Sequence, residues 1–287
     1  MAGPQVIFVE GIIAAGKSEL CRVLAEQLTA LGFRVRLVLE PVERWQQSGA
    51  LARFYANPAR EAYKFQTFAY STRVLAILDG WTPDADFIVT ERSPMSDCIF
   101  MELQRQQGYV DEVDMSMYGA WCDLHERLLP AADRQLVLYL RPRLPTCMAR
   151  LRERGRGEEA GVAEEYQRRL LEGHDHVFGG RPSAAFERLP VARAAQLPPE
   201  LLEADYRADP EVQKELLQTV LQLAERQLGQ AGQLSQAGRR VEPCGGGGGG
   251  GRPAGLGLGL GQRPGPGGLP GGAPAGREER GLRVDGQ

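Results

Sequence analysis

The stretch Val6-Ile-Phe-Val-Glu-Gly11-Ile-Ile-Ala-Ala-Gly16-Lys17-Ser18 decides the fold. Val6–Val9 is a short β-branched run of the kind that forms a buried parallel strand. From Ser18 to Ala30 the apolar residues Leu20, Val23, Leu24 and Leu28 recur on one face of a helix, which Gly32 ends as a C-cap. Between strand and helix the spacing is G-x-x-x-x-G-K-S. Glycines there let successive backbone N–H groups turn inward around a polyphosphate, and the helix N-terminus adds positive potential. Lys17 places a charge on the distal phosphates and the Ser18 hydroxyl can ligate Mg²⁺. A chance glycine turn would not carry both correct flanks. The motif implies a nucleoside triphosphate and leaves the acceptor open.

Outward from this unit the pattern repeats. Val35–Leu39 reads as a second strand, Leu51–Leu78 as mostly helical with Pro58 marking a start, and Phe87–Thr90 as a third strand. Helical patterns run on to about Leu129, and Leu136–Leu140 is a fourth strand. Helices over Leu144–Arg154 and Val162–Phe178 follow, then a fifth strand near Leu189–Ala194 and a closing amphipathic helix over Glu211–Gln227. Strands alternating with helices predict one α/β domain, a parallel sheet covered on both faces.

Composition bounds the rest. Of 36 glycines in 287 residues, 19 fall from Gly245 onward, so residues 229–287 read as a Gly/Pro-rich disordered tail behind a domain of residues 1–228. The formal charge is −3, and the last 43 residues carry five arginines against three acids, which leaves the domain mildly acidic. That balance argues against a nucleic-acid partner held by bulk electrostatics. Five scattered cysteines without a C-x-x-C indicate neither a disulfide framework nor a zinc site. The apolar runs fall short of the ~20 residues of a membrane span. A strand beginning almost at Met1 leaves no room for a leader peptide. The expected setting is cytoplasmic, with the nucleus as the other reducing compartment.

Two acids stand out by position. Ligands of open α/β sheets bind outside the carboxyl ends of the strands, and Glu40 and Glu91 each follow a strand. One could bind Mg²⁺ while the other accepts a proton from an attacking hydroxyl. Arg92 could orient the base. A single acid there is as easily a solvated turn; two beside a phosphate loop favour function.

VEGIIAAGKS, EPVERW (Glu40–Trp45), KFQTFAYSTR (Lys64–Arg73), ERSPMSD (Glu91–Asp97) and RLRERGRGEE (Arg150–Glu159) occur in the order and spacing of the deoxynucleoside kinase family, which the chain resembles from Val6 to Phe178 and more weakly to Leu228. The resemblance implies a P-loop kinase, a three-layer α/β/α fold with a five-stranded parallel sheet and an arginine-rich lid. It implies ATP and Mg²⁺ as cofactors, a small-molecule deoxynucleoside as substrate, no nucleic-acid or membrane partner, and a homodimer. By the same resemblance Glu40 is the general base, and Arg92, Lys17, Arg150 and Arg154 share the catalytic work. Gly11, Ala14, Ala15, Gly16, Lys17, Ser18, Arg154, Arg156 and Arg207 hold the donor, with Ser18 and Glu91 at the metal. Gln66 reads the nucleobase edge, since an amide offers donor and acceptor side by side, and Phe65 packs on the base. Tyr55 and Glu159 bind the sugar 3′-hydroxyl, and Trp45, Leu51 and Phe54 line the pocket; without the resemblance that stripe would be read as core.

Arg73 and Asp97 fall where deoxycytidine- and deoxyguanosine-type kinases carry a charged pair, which implies a preference for deoxycytidine and purine deoxynucleosides over thymidine. Departures from the family pattern are Ile12 in place of asparagine, a short Trp45–Leu51 connection, and Cys98-Ile99-Phe100, which leaves open whether Phe100 or Met101 meets the base. A thymidine-selective kinase, a nucleoside monophosphate kinase and a non-enzymatic binding protein remain as alternatives. Arg152 and the three histidines are expected outside the site.

Overall fold

The computed structural model describes residues 4–129, 135–159, 161–192, 194–196, 211 and 213–222, all within one compact unit, Met1–Val241. The expected tail (229–287), Arg207 and part of the closing helix lie outside the described residues.

Four parallel strands, β1 (Gln5–Glu10), β2 (Val35–Val38), β3 (Phe87–Glu91) and β4 (Gln135–Tyr139), stand in the order β2-β3-β1-β4, and a two-residue β5 (Ala195–Gln196) pairs beside β4. Successive residues of β1 point to opposite faces. Ile7 and Val9 join a core with Leu20, Leu24 and Leu28 of α1 (Lys17–Ala30) and with Leu170 and Val177, whereas Val6 and Phe8 pack on Val38, Ile77 and Ile88. Helices therefore cover both faces, which explains why β1 is buried along its whole length. β2 lies at the sheet edge with Arg36 and Leu37 exposed.

Capping chemistry sets the helix ends. At the end of α1, Gly32 (φ +89°) donates to the Thr29 carbonyl and Phe33 to that of Leu28, a Schellman turn. α2 (Val42–Gln47), which sequence reasoning did not expect, and α3 (Ala50–Ala56) are short. Asn57 then caps α4 (Pro58–Gly80), its side chain accepting from Arg60 N, with Pro58 at the first position. α5 (Pro94–Gln106) and α6 (Glu112–Leu128) follow β3; α7 (Leu144–Arg154) and α8 (Glu164–Phe178) follow β4. Residues 213–222 form a last helical stretch, α9.

The fifth strand is not where the apolar pattern put it. Over Leu189–Ala194, Leu189 closes a turn onto Phe186 and Ala192 bonds Val177, while Pro190 has no N–H for a ladder; pairing with β4 begins only at Ala195. Glu91 is the last residue of β3 rather than the residue after it. No helix among the described residues is long and apolar enough to cross a membrane. Among the described residues no disulfide joins Cys21, Cys98, Cys122 and Cys147.

β1 is central, with β3 and β4 on either side, so its following loop opens at the crevice where the order of strands reverses. The register aligns Val9 with Glu91 and Glu10 with Tyr139, which brings three strand ends to one edge. Above that edge α2–α6 form a second apolar cluster around Trp45, Phe54, Phe65 and Tyr70.

Candidate active site

The loop between β1 and α1 is built for close approach. Gly11 has φ +147°, and a Cβ there would sit 2.7 Å from the Leu140 carbonyl oxygen. Gly16 (φ +97°) and Ala14 (φ +60°) also take left-handed backbone, turning the loop inward. Lys17 is buried and donates to Ile12 O at 2.9 Å. Burial, followed by the Arg92 charge, brings its ammonium down to about 8, against the pull of Glu91, Glu40 and Glu10. Ile12, in place of the family's asparagine, is core. Gly11 and Ala15 form the back of the loop, while Ala14, Gly16, Lys17 and Ser18 line a cleft of about 650 Å³.

Across this cleft the acids are linked. Ser18 Oγ donates to Glu91 Oε1 at 2.8 Å, and the backbone N–H of Glu40 points to Glu91 Oε2 at 3.4 Å. Glu40 receives Arg73 Nη2 at 2.9 Å and has Arg92 Nε at 3.2 Å from the same oxygen. Burial alone would raise the Glu40 carboxyl, but the Arg73, Arg92 and Lys17 charges outweigh it and hold the group at about 2. Arg92 Nε has no aligned acceptor among the described residues, which leaves a donor for an incoming oxygen.

The other wall is helical. On α4 the 3.6-residue period puts Phe65, Ala69 and Arg73 on one side with Gln66 beside them, all facing the cleft. Phe65 stacks on Phe54 at 4.8 Å and meets Trp45 edge-on at 5.7 Å; Trp45 Nε1 is anchored on Thr72 Oγ1 at 2.8 Å. The buried Gln66 amide makes no hydrogen bond to another described residue. Arg73 grips Asp97 through Nε at 2.6 Å and Nη2 at 3.2 Å, and reaches Glu91 O through Nη1 at 3.2 Å. Burial pushes the Asp97 carboxyl up, with Arg73 opposing. The pair is thus fused to Glu40, a link that sequence reasoning did not foresee. Phe100, on the same face of α5 as Asp97, lines the cleft with the Arg92 guanidinium 4.9 Å over its ring, whereas Met101 is fully buried elsewhere.

At the mouth, α7 ends at Gly155 (φ +60°). Arg150 contacts Ala15 O at 3.5 Å, and Arg154 and Arg156 both pair with the buried carboxylate of Glu159. Arg152 is exposed and outside the cleft. Tyr55 lines the cleft too, its hydroxyl pushed up by burial and by Tyr166 and Glu159.

Several lining residues were missed. Tyr166 stands on α8, and Leu39, Val42, Glu19 and Arg22 flank the opening. Glu10 is the largest omission. Fully buried at the end of β1, it accepts from Ser93 N at 2.7 Å, from Ser93 Oγ at 2.6 Å and from Ser96 Oγ. Burial raises its carboxyl above the usual range. The signal was available, since it is a third acid at a strand end.

Comparison with known proteins adds the family. The model describing deoxynucleoside kinases matches residues 7–222. The chain belongs to the deoxynucleoside kinase family. It is similar to a probable deoxycytidine kinase of Fowlpox virus (31% identical over 172 residues, 59% of this chain and 69% of that one) and to the deoxycytidine kinase of Homo sapiens (31% over 194 residues, 59% and 73%). A thymidine kinase of Ictalurid herpesvirus 1 is also 31% identical, over 174 residues (59% and 72%). The chain is therefore an enzyme, a kinase of nucleoside salvage, and the non-enzymatic alternative falls.

Proposed function

We propose that this enzyme moves the γ-phosphoryl group of ATP to the 5′-hydroxyl of deoxyribonucleosides, with deoxycytidine and purine deoxynucleosides favoured over thymidine, and that it acts in the cytosol or nucleus. One observation carries the reading: a phosphate loop and an ionised carboxylate, Glu40, face each other across one cleft, joined through Ser18 and Glu91. The 5′-oxygen forms a bond to the γ-phosphorus, the bridging oxygen leaves with ADP, and the proton goes to Glu40. In a loose transition state the nucleophile loses its proton late, so a carboxylate of low basicity serves by position and charge.

Ser18 and Glu91 present only oxygen donors, which suits Mg²⁺. Those two residues would hold the ion, which would supply charge neutralisation for the β- and γ-phosphates. Lys17 binds those phosphates, and Arg92 steadies the attacking oxygen. Arg150, Arg154 and Arg156 form the lid; Glu159, which holds two of them, also meets the 3′-hydroxyl with Tyr55. Gln66 reads the base above Phe100, and the Arg73–Asp97 pair crowds a 5-methyl group.

The thymidine kinase among the relatives favours thymidine selectivity as the second reading. A homodimer is supported by a stripe on α6, where Val113, Met117, Trp121, Leu124 and Leu128 are exposed. Label transfer from ATP to the four deoxynucleosides and their monophosphates tests the whole. Deoxycytidine or a purine deoxynucleoside should be the best acceptor; thymidine as best acceptor overturns the preference, and transfer only to monophosphates overturns the reaction.

A further inference from the structure

Arg92 sits in an unfavourable backbone state. Its φ is +65°, a region that side chains other than glycine rarely adopt, and such strain persists only where the surroundings over-determine it. The backbone side of that constraint is visible. Arg92 N donates to Val9 O at 2.9 Å, and the next residue, Ser93, is clamped by Glu10. The guanidinium needs a separate mount, because its Nε must stay beside Glu40, 3.2 Å from Oε1, while the cleft fills and empties.

His174, on α8 and fully buried, supplies one. Its Nδ1 lies 2.8 Å from Leu170 O and its Nε2 3.1 Å from Arg92 Nη1. A carbonyl can only accept and a guanidinium can only donate. The proton therefore belongs on Nδ1, and Nε2 offers its lone pair to Arg92. Phe100 meets the ring edge-on at 6.3 Å, while Tyr139 lies nearly parallel to it at 6.4 Å. Gly173 lets α8 press on α5, since a Cβ there would lie 2.6 Å from Ile99 Cγ2 and 2.8 Å from a Phe186 ring carbon. The distance from His174 to the α5 side of the site is thus set by close packing. Burial above all, and then the charges of Arg92 and Lys17, both cations, keep the imidazole neutral against the pull of the Leu170 carbonyl.

We propose that His174 is a positioning residue, whose unprotonated Nε2 holds the Arg92 guanidinium in line with Glu40 and the attacking oxygen. Ser96 completes the mount. It receives the same Arg92 Nη1 at 3.2 Å and passes its own hydrogen bond to Glu10. This deepens the proposed reaction and rests on Arg92 acting at the transfer site.

The test pairs two amides. His174→Gln places an acceptor oxygen where Nε2 stood; His174→Asn keeps a donor for Leu170 and leaves the Nε2 position empty. With both folded by thermal unfolding, Asn should lower kcat about tenfold or more, as for a hydrogen bond lost to a charged group. Its nucleoside KM should change less than threefold, and Gln should stay within about threefold of wild type. In an Arg92→Ala background the Asn penalty should vanish. Equal loss in Asn and Gln, or a penalty that persists without Arg92, overturns the positioning role. If instead Arg92→Ala itself leaves turnover unchanged, the transfer-site reading of Arg92 falls with it. Should Asn fail to fold, ring-nitrogen NMR of wild type decides: a bare Nε2 is expected, and a protonated one overturns the proposal.

Discussion

Replacing Glu40 by glutamine separates charge from shape. Glutamine is the neutral isostere of the protonated carboxyl, so the stability gap between wild type and Glu40→Gln reads the advantage of the charged form. The Glu40 carboxyl is held at about 2 in the folded protein and titrates near its ordinary value of 4.5 when unfolded. A depressed folded pKa contributes stability that is complete above the unfolded value and is lost as pH falls through the folded one. The contribution at pH 7 is then roughly 3 kcal/mol. By pH 3.5 it should narrow to about 2 kcal/mol, because the unfolded chain is by then mostly protonated at this position.

Urea denaturation of both proteins at the two pH values measures the gap, and label transfer on the same preparations measures turnover. Transfer should fall by about 10²- to 10⁴-fold, the usual scale for losing an acid–base partner, while nucleoside binding by calorimetry stays within a few-fold. A gap that is the same at both pH values would show that Arg73 and Arg92 do not hold the carboxylate as the geometry implies. A variant that turns over at the wild-type rate would remove Glu40 from the reaction altogether.

Other perturbations follow from the same contacts. Lys17 titrates at about 8 in the free enzyme, so kcat/KM for ATP should fall as pH rises through that value while kcat, measured with the phosphates bound, stays flat further; a level kcat/KM from about pH 7 to 9.5 would contradict its role. Gly11→Ala forces a Cβ to 2.7 Å from Leu140 O at φ +147°, and denaturation should show a loss of about 2–4 kcal/mol; an unchanged midpoint would refute the close-approach reading. Trp121→Glu puts a charge in the exposed α6 stripe, and sedimentation should show a dimer in wild type and a monomer in the variant. An unaltered mass would place any self-association elsewhere.

How far the sequence spoke depended on how local each feature was. Strand β1, the phosphate loop and α1 form one contiguous stretch, and their β-branched run, glycines and apolar period each act within a few residues; the structure has the strand, turn and helix there. The bounds of α7 coincide with the pattern for a similar reason, since Leu144-Pro145 starts that helix and Gly155 ends it. Leu189–Ala194 failed because its apolar alternation says nothing about pairing. Whether such a run joins a sheet depends on N–H groups that Pro190 lacks and Leu189 spends on a turn.

Within the cleft, residues could be gathered from family spacing, but the bonds among them could not. Arg73 meets Asp97 across 24 positions and Glu40 across 33, and nothing in either stretch tells which carboxylate takes which nitrogen. Glu10 and His174 mark the deeper limit. Neither lines the cleft; His174 bonds Arg92, which does, and Glu10 clamps the next residue, Ser93, each through a contact spanning more than 80 positions. A buried acid beside a phosphate loop, or a histidine in an apolar helix face, is a recognisable oddity in sequence because each must find a partner once it loses water. The identity of that partner depends on the register of β1 against β3 and on the packing of α8 against α5. Residues that hold a reacting group from behind are therefore harder to read from sequence than the residues that touch the substrate.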